Sequence, residues 1–196
     1  MSEFPNPLQQ PTLKLTTCSD FRQASGTSLA SSGGVNNAAL ASIGTLNIIG
    51  WSTSGDPSTP AEMCFKMPKD WDRKGQYLKI DACARKTSSG GTDENTDLAL
   101  RAQVSWLNPG STTLQTLTTP ASYTLPAAGL AASKAFTEFT MDVGARLNAE
   151  GKQIEPGAIV SLSIYPHETV GSSDMIVEAQ FSAVIGADPS FYRGVR

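Results

Sequence analysis

Two-residue alternation in two late segments constrains this chain more than any other feature. In Gly157 to Pro166, the apolar residues Ala158, Val160, Leu162 and Ile164 fall on one side, and Ser161, Ser163 and Tyr165 on the other. In Asp174 to Ile185, Met175, Val177, Ala179, Phe181, Ala183 and Ile185 alternate against Asp174, Glu178, Gln180 and Ser182. Successive side chains of a strand point to opposite faces, so the pattern specifies strands with one buried and one wetted face, as antiparallel sheets require. The segment between them, Pro166-His167-Glu168-Thr169-Val170-Gly171-Ser172, is polar and reads as a connection.

The same signal recurs earlier. Leu46, Ile48, Ile49 and Trp51 mark a first strand, and Ser52 to Pro60 is a loop by composition. Met63, Phe65 and Met67 alternate with Glu62, Cys64 and Lys66 in a second strand, which Pro68 stops. Tyr77 to Lys86 is the third, with Leu78, Ile80, Ala82 and Ala84 inward, and Asp97 to Leu107 the fourth, with Leu98, Leu100, Ala102, Val104 and Trp106 inward. Asn108-Pro109-Gly110 is a turn signal, because Pro presets φ and Gly supplies a positive φ. Thr112 to Thr118 is a candidate fifth strand, Ala121 to Ala132 a loop, and Ala135 to Val143 a sixth strand. Arg146 to Ala149 suits a single helical turn before Gly151. The two opening segments complete a set of about eight strands, which predicts an all-β, antiparallel, jelly-roll-like sandwich. An immunoglobulin-like sandwich is the alternative, although the cysteine–tryptophan–cysteine pattern of antibody domains is absent.

Three parts follow: an extended N-terminal arm (1–44), the sandwich (45–186) and a short aromatic and basic tail (187–196). Pro5, Pro7 and Pro11 oppose helix and central strand, and Leu13 to Thr16 suits a short edge strand. Ala24 to Ala41 is rich in Ser, Gly, Ala and Asn and cannot bury enough apolar area to order alone. Either its own sandwich or a neighbouring subunit must hold it.

Charge and cysteine usage exclude several classes. The net charge of −3, without a Lys/Arg run, opposes direct nucleic-acid binding. No segment approaches the about 18 consecutive apolar residues of a membrane span. The N-terminus lacks the basic region and apolar run of a secretory signal, so synthesis in the cytoplasm is expected. Cys18, Cys64 and Cys83 are too few and too widely spaced for a disulfide framework or zinc site, and read as reduced thiols.

Candidate chemistry is sparse. His167 has no second histidine to join it in ligating a metal, and no Gly-x-Ser-x-Gly elbow accompanies it. Asp70-Trp71-Asp72 offers two carboxylates, but Arg73 and Lys74 follow and oppose a cation; a polar turn anchored by Trp71 is the plainer reading. Gly90 to Asp97, with Asp93, Glu94, Asn95 and Asp97, is either a calcium loop or a solvated turn. Gly33-Gly34 and Gly90-Gly91 lack the Gly-Lys-Ser/Thr ending of a phosphate-binding loop. Trp51 and Trp71, at strand ends or loops, are candidate sugar platforms, whereas Trp106 lies on an apolar face. No catalytic, cofactor-binding or metal-ligating residue is assigned, no cofactor is expected, and the protein is read as a non-enzyme.

Leu147-Asn148-Ala149-Glu150-Gly151-Lys152-Gln153-Ile154-Glu155-Pro156-Gly157, the strand that follows, the uncharged arm and the short tail resemble viral jelly-roll structural proteins of the capsid decoration (cement) type. The resemblance implies a virion component of a tailed phage, a homo-oligomer with a trimer favoured. Its partner would be a major capsid protein or other shell subunit. The arm carries only Lys14 and Arg22, which favours decoration of an outer shell over contact with packaged nucleic acid; a jelly-roll main shell subunit is a further alternative. The alternative of a different class is a carbohydrate- or receptor-binding module, with Trp51 and Trp71 stacking on sugar and the Gly90–Asp97 loop holding calcium. The polar strand faces, Ser161, Ser163, Glu178 and Gln180, are left for solvent or subunit contact.

Overall fold

The alternating segments form strands as expected, and their partners define the architecture. The computed structural model describes residues 11–16, 22–23, 39–43, 46–53, 60–88, 98–125, 136–168 and 175–186. In chain order the strands are β1 (Pro11–Thr16), β2 (Arg22–Gln23), β3 (Ala39–Ile43), β4 (Leu46–Thr53), β5 (Ala61–Lys66), β6 (Leu78–Ser88), β7 (Leu98–Leu107), β8 (Gln115–Thr116), β9 (Ala121–Leu125), β10 (Thr137–Asp142), β11 (Ile159–Glu168) and β12 (Met175–Gly186). Among the described residues one helix, α1 (Val143–Ala149), precedes β11.

Two antiparallel sheets face each other. The first runs β10-β6-β12-β4-β3, with β1 also on β12; the second runs β2-β5-β11-β7-β8, with β9 also on β7. From β4 to β7 each successive strand changes sheet, and β9, β10, β11 and β12 do so again, which gives the jelly-roll-like crossing. The two opening segments therefore do not pair with each other. β11 lies between β5 and β7, while β12 lies between β6 on one side and β4 and β1 on the other. Val160, Leu162 and Ile164 of one sheet and Ala179, Phe181, Ala183 and Ile185 of the other are all buried in one core. Burying each larger side chain of this set contributes roughly 1.5–3 kcal/mol.

Several boundaries differ from expectation. Ala121–Leu125 is a strand rather than a loop: Ala121 and Leu125 are buried while Ser122 and Thr124 are exposed, an alternation hidden by flanking Pro120 and Pro126. Tyr123 of β9 stacks on Phe139 of β10, centroids 4.1 Å apart, and links the two sheets along one edge. The expected fifth strand shrinks to β8, two residues long. Pro166, His167 and Glu168 belong to β11, opposite Leu100, Ala99 and Leu98 of β7. Among the described residues, pairing with β5 stops at Ile164, so Pro166 faces a single ladder, on β7. Within the stretch expected to form an arm, β1, β2 and β3 are paired to β12, β5 and β4 of the chain's own sandwich. β1 contains the short edge strand expected at Leu13 to Thr16, β2 is too short to carry a period, and β3, Ala39-Leu40-Ala41-Ser42-Ile43, is built largely of small residues. The rest of that stretch and the 187–196 tail lie outside the described residues.

Residues 152–155 are strapped over one end of the sandwich. Trp71 Nε1 donates to the Ile154 carbonyl (2.9 Å) and Trp106 Nε1 to the Gln153 carbonyl (3.0 Å). Buried Gln76 donates to Asn148 Oδ1 (2.9 Å) and the Lys152 carbonyl (2.8 Å), and accepts from Ile154 N (3.3 Å). Its backbone sits at φ 46°, a left-handed conformation that costs a non-glycine residue energy and that these contacts hold in place. Gly144 completes the arrangement, because a Cβ there would overlap the Gln76 carbonyl oxygen. Asp142 caps α1 by accepting from Ala145 N (2.8 Å).

Glu150 fastens the segment after β8. It accepts from Lys152 Nζ (2.7 Å), Thr118 N (2.9 Å) and Thr119 N (2.7 Å). The Lys152 ammonium first, and then the two backbone amides, hold its carboxyl down to about 2.

Two outcomes are expected. Gln76→Ala leaves the Asn148 side chain, the Lys152 carbonyl and the buried Ile154 amide without their bonds to it, and should lower the unfolding free energy by roughly 2–3 kcal/mol in urea titrations. The Glu150 carboxylate contributes stability that is fully present above the ordinary value of 4.5 and is lost as pH falls through about 2. The Thr118 and Thr119 amide resonances should therefore titrate with a midpoint near 2, and that step should vanish in Glu150→Gln.

Candidate functional site

The outer face of the first sheet gathers a cross-strand set of polar side chains. Along β6, Leu78, Ile80, Ala82 and Ala84 turn into the core, so Lys79, Asp81, Cys83 and Arg85 turn outward. On β10 the outward set is Glu138, Thr140 and Asp142, and on β12 it includes Gln180, Ser182 and Val184. Register aligns these into cross-strand rows, Glu138–Cys83–Gln180 and Thr140–Asp81–Ser182. The six residues, together with Ala82 and Phe139, line an open groove of about 620 Å³. Asp81, Cys83, Thr140 and Ser182 contribute short side chains to this lining, and Glu138 and Gln180 longer ones.

The groove's margins are amphipathic. Tyr77 and Phe136 share the outward phase of β6 and β10 and are 45% and 40% exposed, so each offers a partly open ring. Lys79 Nζ lies 5.0 Å from the Tyr77 ring centroid and 3.6 Å from Asp142 Oδ2. Arg85 Cζ lies 5.0 Å from the Phe136 centroid. Tyr77 to Arg85 spans about 26 Å along the strand at about 3.3 Å per residue. Inside the groove, Thr140 Oγ1 donates to Asp81 Oδ1 (2.9 Å), which fixes that carboxylate. Burial, and then the Glu138 carboxylate beside it, push the Cys83 thiol up, so it stands there as a neutral group.

The structure redistributes the residues singled out from sequence. Trp51 and Trp71 are 1% and 2% exposed and cannot stack on a sugar; they are core residues like Trp106. Their positions near loops suggested exposure, but Trp71 is turned inward by its bond to the Ile154 carbonyl and Trp51 packs edge-on against Phe181. Asp70-Trp71-Asp72 is the polar turn: Asp72 Oδ1 accepts from Lys74 N (3.0 Å) and Gly75 N (2.9 Å). His167 is half-buried on β11. Among the described residues, no cluster of His, Cys, Asp and Glu is arranged to hold a metal. Cys64 and Cys83 are free thiols on opposite sheets. Ser163 is tied to Glu62 on the second sheet, 2.9 Å apart, whereas Gln180 lies in the groove. Gly90–Asp97, Gly33-Gly34, Cys18 and the Glu178 side chain lie outside the described residues.

Sequence reasoning missed Asp81, Glu138 and Thr140. The available signal was the outward phase of two expected strands, Lys79-Asp81-Cys83-Arg85 and Glu138-Thr140-Asp142, whose pairing only the topology supplies.

No family model matches the chain, and no curated protein matches it. Solved structures with a similar arrangement include the CBM22-1 xylan-binding domain from Paenibacillus barcinonensis Xyn10C: TM-score 0.46, 7% identity, 90% of this chain and 94% of that one. The CBM22-1 and GH10 modules of a Clostridium thermocellum xylanase, solved with xylohexaose, give a TM-score of 0.47 at 10% identity over 76% of this chain; the match spans 24% of that longer chain. A family 11 carbohydrate-binding module of a Clostridium thermocellum cellulase gives 0.40 at 13% identity, over 76% of this chain and 81% of that one. At these values the functional reading rests on the groove.

Iodoacetamide at mildly alkaline pH should modify exposed Cys64 faster than Cys83, as followed by peptide mass spectrometry. Equal rates would contradict the shielding of Cys83.

Proposed function

We propose that this protein is a carbohydrate-binding β-sandwich module that holds a glycan in the groove across β10, β6 and β12. The observation that carries the reading is the groove's chemistry. Carboxylates at Asp81 and Glu138, hydroxyls at Thr140 and Ser182, and the Gln180 amide together offer donors and acceptors in one open trough. A sugar ring presents hydroxyls that act in both senses around an apolar body. Exposed Tyr77 and Phe136 at either end add apolar surface for that body. The trough is open rather than enclosed, which suits a chain passing through it better than a small molecule sealed inside.

The reading replaces the stacking groups first considered, Trp51 and Trp71, with Tyr77 and Phe136. It is also favoured over shell decoration by a free arm. That mechanism needs the N-terminal stretch to reach a neighbour, and β1, β2 and β3 commit backbone in that stretch to the chain's own sheets.

A glycan microarray followed by affinity electrophoresis in soluble polysaccharides tests the reading. The wild-type chain should be retained by at least one glycan. Asp81→Ala and Gln180→Ala should each weaken retention about tenfold, or ~1.4 kcal/mol, while Ser163→Ala on the opposite sheet leaves it unchanged. Absence of retention by every glycan, or equal losses in all three variants, would overturn it.

A further inference from the structure

Resting on the carbohydrate-binding reading, we infer that the groove takes uncharged glycans and rejects acidic ones, with Asp81 and Glu138 as the specificity-determining residues. Charge placement carries the inference. Of the residues that line the groove, the charged ones are Asp81 and Glu138, and both are anionic. The two central rows, Glu138–Cys83–Gln180 and Thr140–Asp81–Ser182, contain no cation. The nearest cations on these strands stand one outward step further along β6 and are engaged there: Lys79 between Asp142 and the Tyr77 ring, Arg85 over the Phe136 ring. Asp81 is also oriented by Thr140 and cannot swing freely away from an incoming group.

A neutral sugar hydroxyl donates into either carboxylate and makes a charge-assisted bond, stronger than one between neutral partners. A uronate carboxylate or a sulfate ester in the same place has no proton to donate. It meets two like charges instead, with no cation among the described lining residues to offset them. The field of Glu138 is already felt at Cys83, whose thiol it helps to keep protonated.

The test compares matched neutral and acidic polysaccharides: hydroxyethyl- with carboxymethyl-cellulose, mannan with alginate, and galactan with polygalacturonate. Affinity electrophoresis of the full chain at low salt should show the neutral member of a bound pair preferred by at least about tenfold. The preference should shrink as salt approaches about 1 M, where charge repulsion is screened within about 3 Å. In the Asp81→Asn/Glu138→Gln double variant, whose amides keep the shape and can still accept hydrogen bonds, the acidic-to-neutral affinity ratio should rise about tenfold or more. Wild-type chain that binds the acidic member as well as or better than the neutral one would overturn this inference and leave carbohydrate binding standing. A ratio unmoved by the double variant would likewise remove Asp81 and Glu138 as determinants. Failure to bind any member of any pair would overturn both readings.

Discussion

Two strands in opposite sheets hold this molecule together. β11 is bonded to β5 and β7, β12 to β6 on one side and to β4 and β1 on the other, and their inward faces meet in the same core. Because side chains alternate strictly, a one-residue slip of β11 would turn Ser161 and Ser163 inward and Val160 and Leu162 outward. That penalty locks the register of β11 and, through it, that of β5 and β7. The same holds on the other sheet, where the register of β12 on β6, and of β6 on β10, sets which polar residues become neighbours outside.

The large aromatic residues follow from this constraint. A sandwich is open at its ends, and residues 152–155 close one of them. Trp71 and Trp106 lie buried beneath the strap with their indole N–H groups on the Ile154 and Gln153 carbonyls. A buried indole N–H without an acceptor is costly, and these bonds answer that demand. Trp71, which looks available for stacking in the sequence, is thereby consumed by the fold. The segment of the chain that most resembled a shell protein, Leu147 to Gly157, is largely this strap and its approach, and its Asn148, Lys152 and Ile154 serve Gln76.

Much of the fold was legible because burial follows from local alternation. Met63 on β5, Ile80 on β6, Val104 on β7 and Met141 on β10 are inward as their phases require. Asn108-Pro109-Gly110 forms its turn, with Gly110 at φ 77° and Ser111 N bonded to the Asn108 carbonyl at 3.0 Å. β2 was not legible, because a two-residue strand has no period to read, and β8 is what forms of the strand expected over Thr112 to Thr118. β9 carried a period, Ala121-Tyr123-Leu125, but its flanking prolines and small residues outweighed it.

The candidate site divides along the same line. Alternation within each strand settled that Asp81, Cys83, Glu138, Thr140 and Gln180 would face away from the core, since the opposite phase is apolar. It could not say that they would meet. Asp81, Glu138 and Gln180 come from three strands far apart in the chain, and their meeting depends on β6 lying between β10 and β12 in one particular register. That order is chosen by packing of the whole core, a property of all the strands together. The inside and outside of each strand are local facts of the chain, and the groove is a consequence of which outsides the core brings side by side.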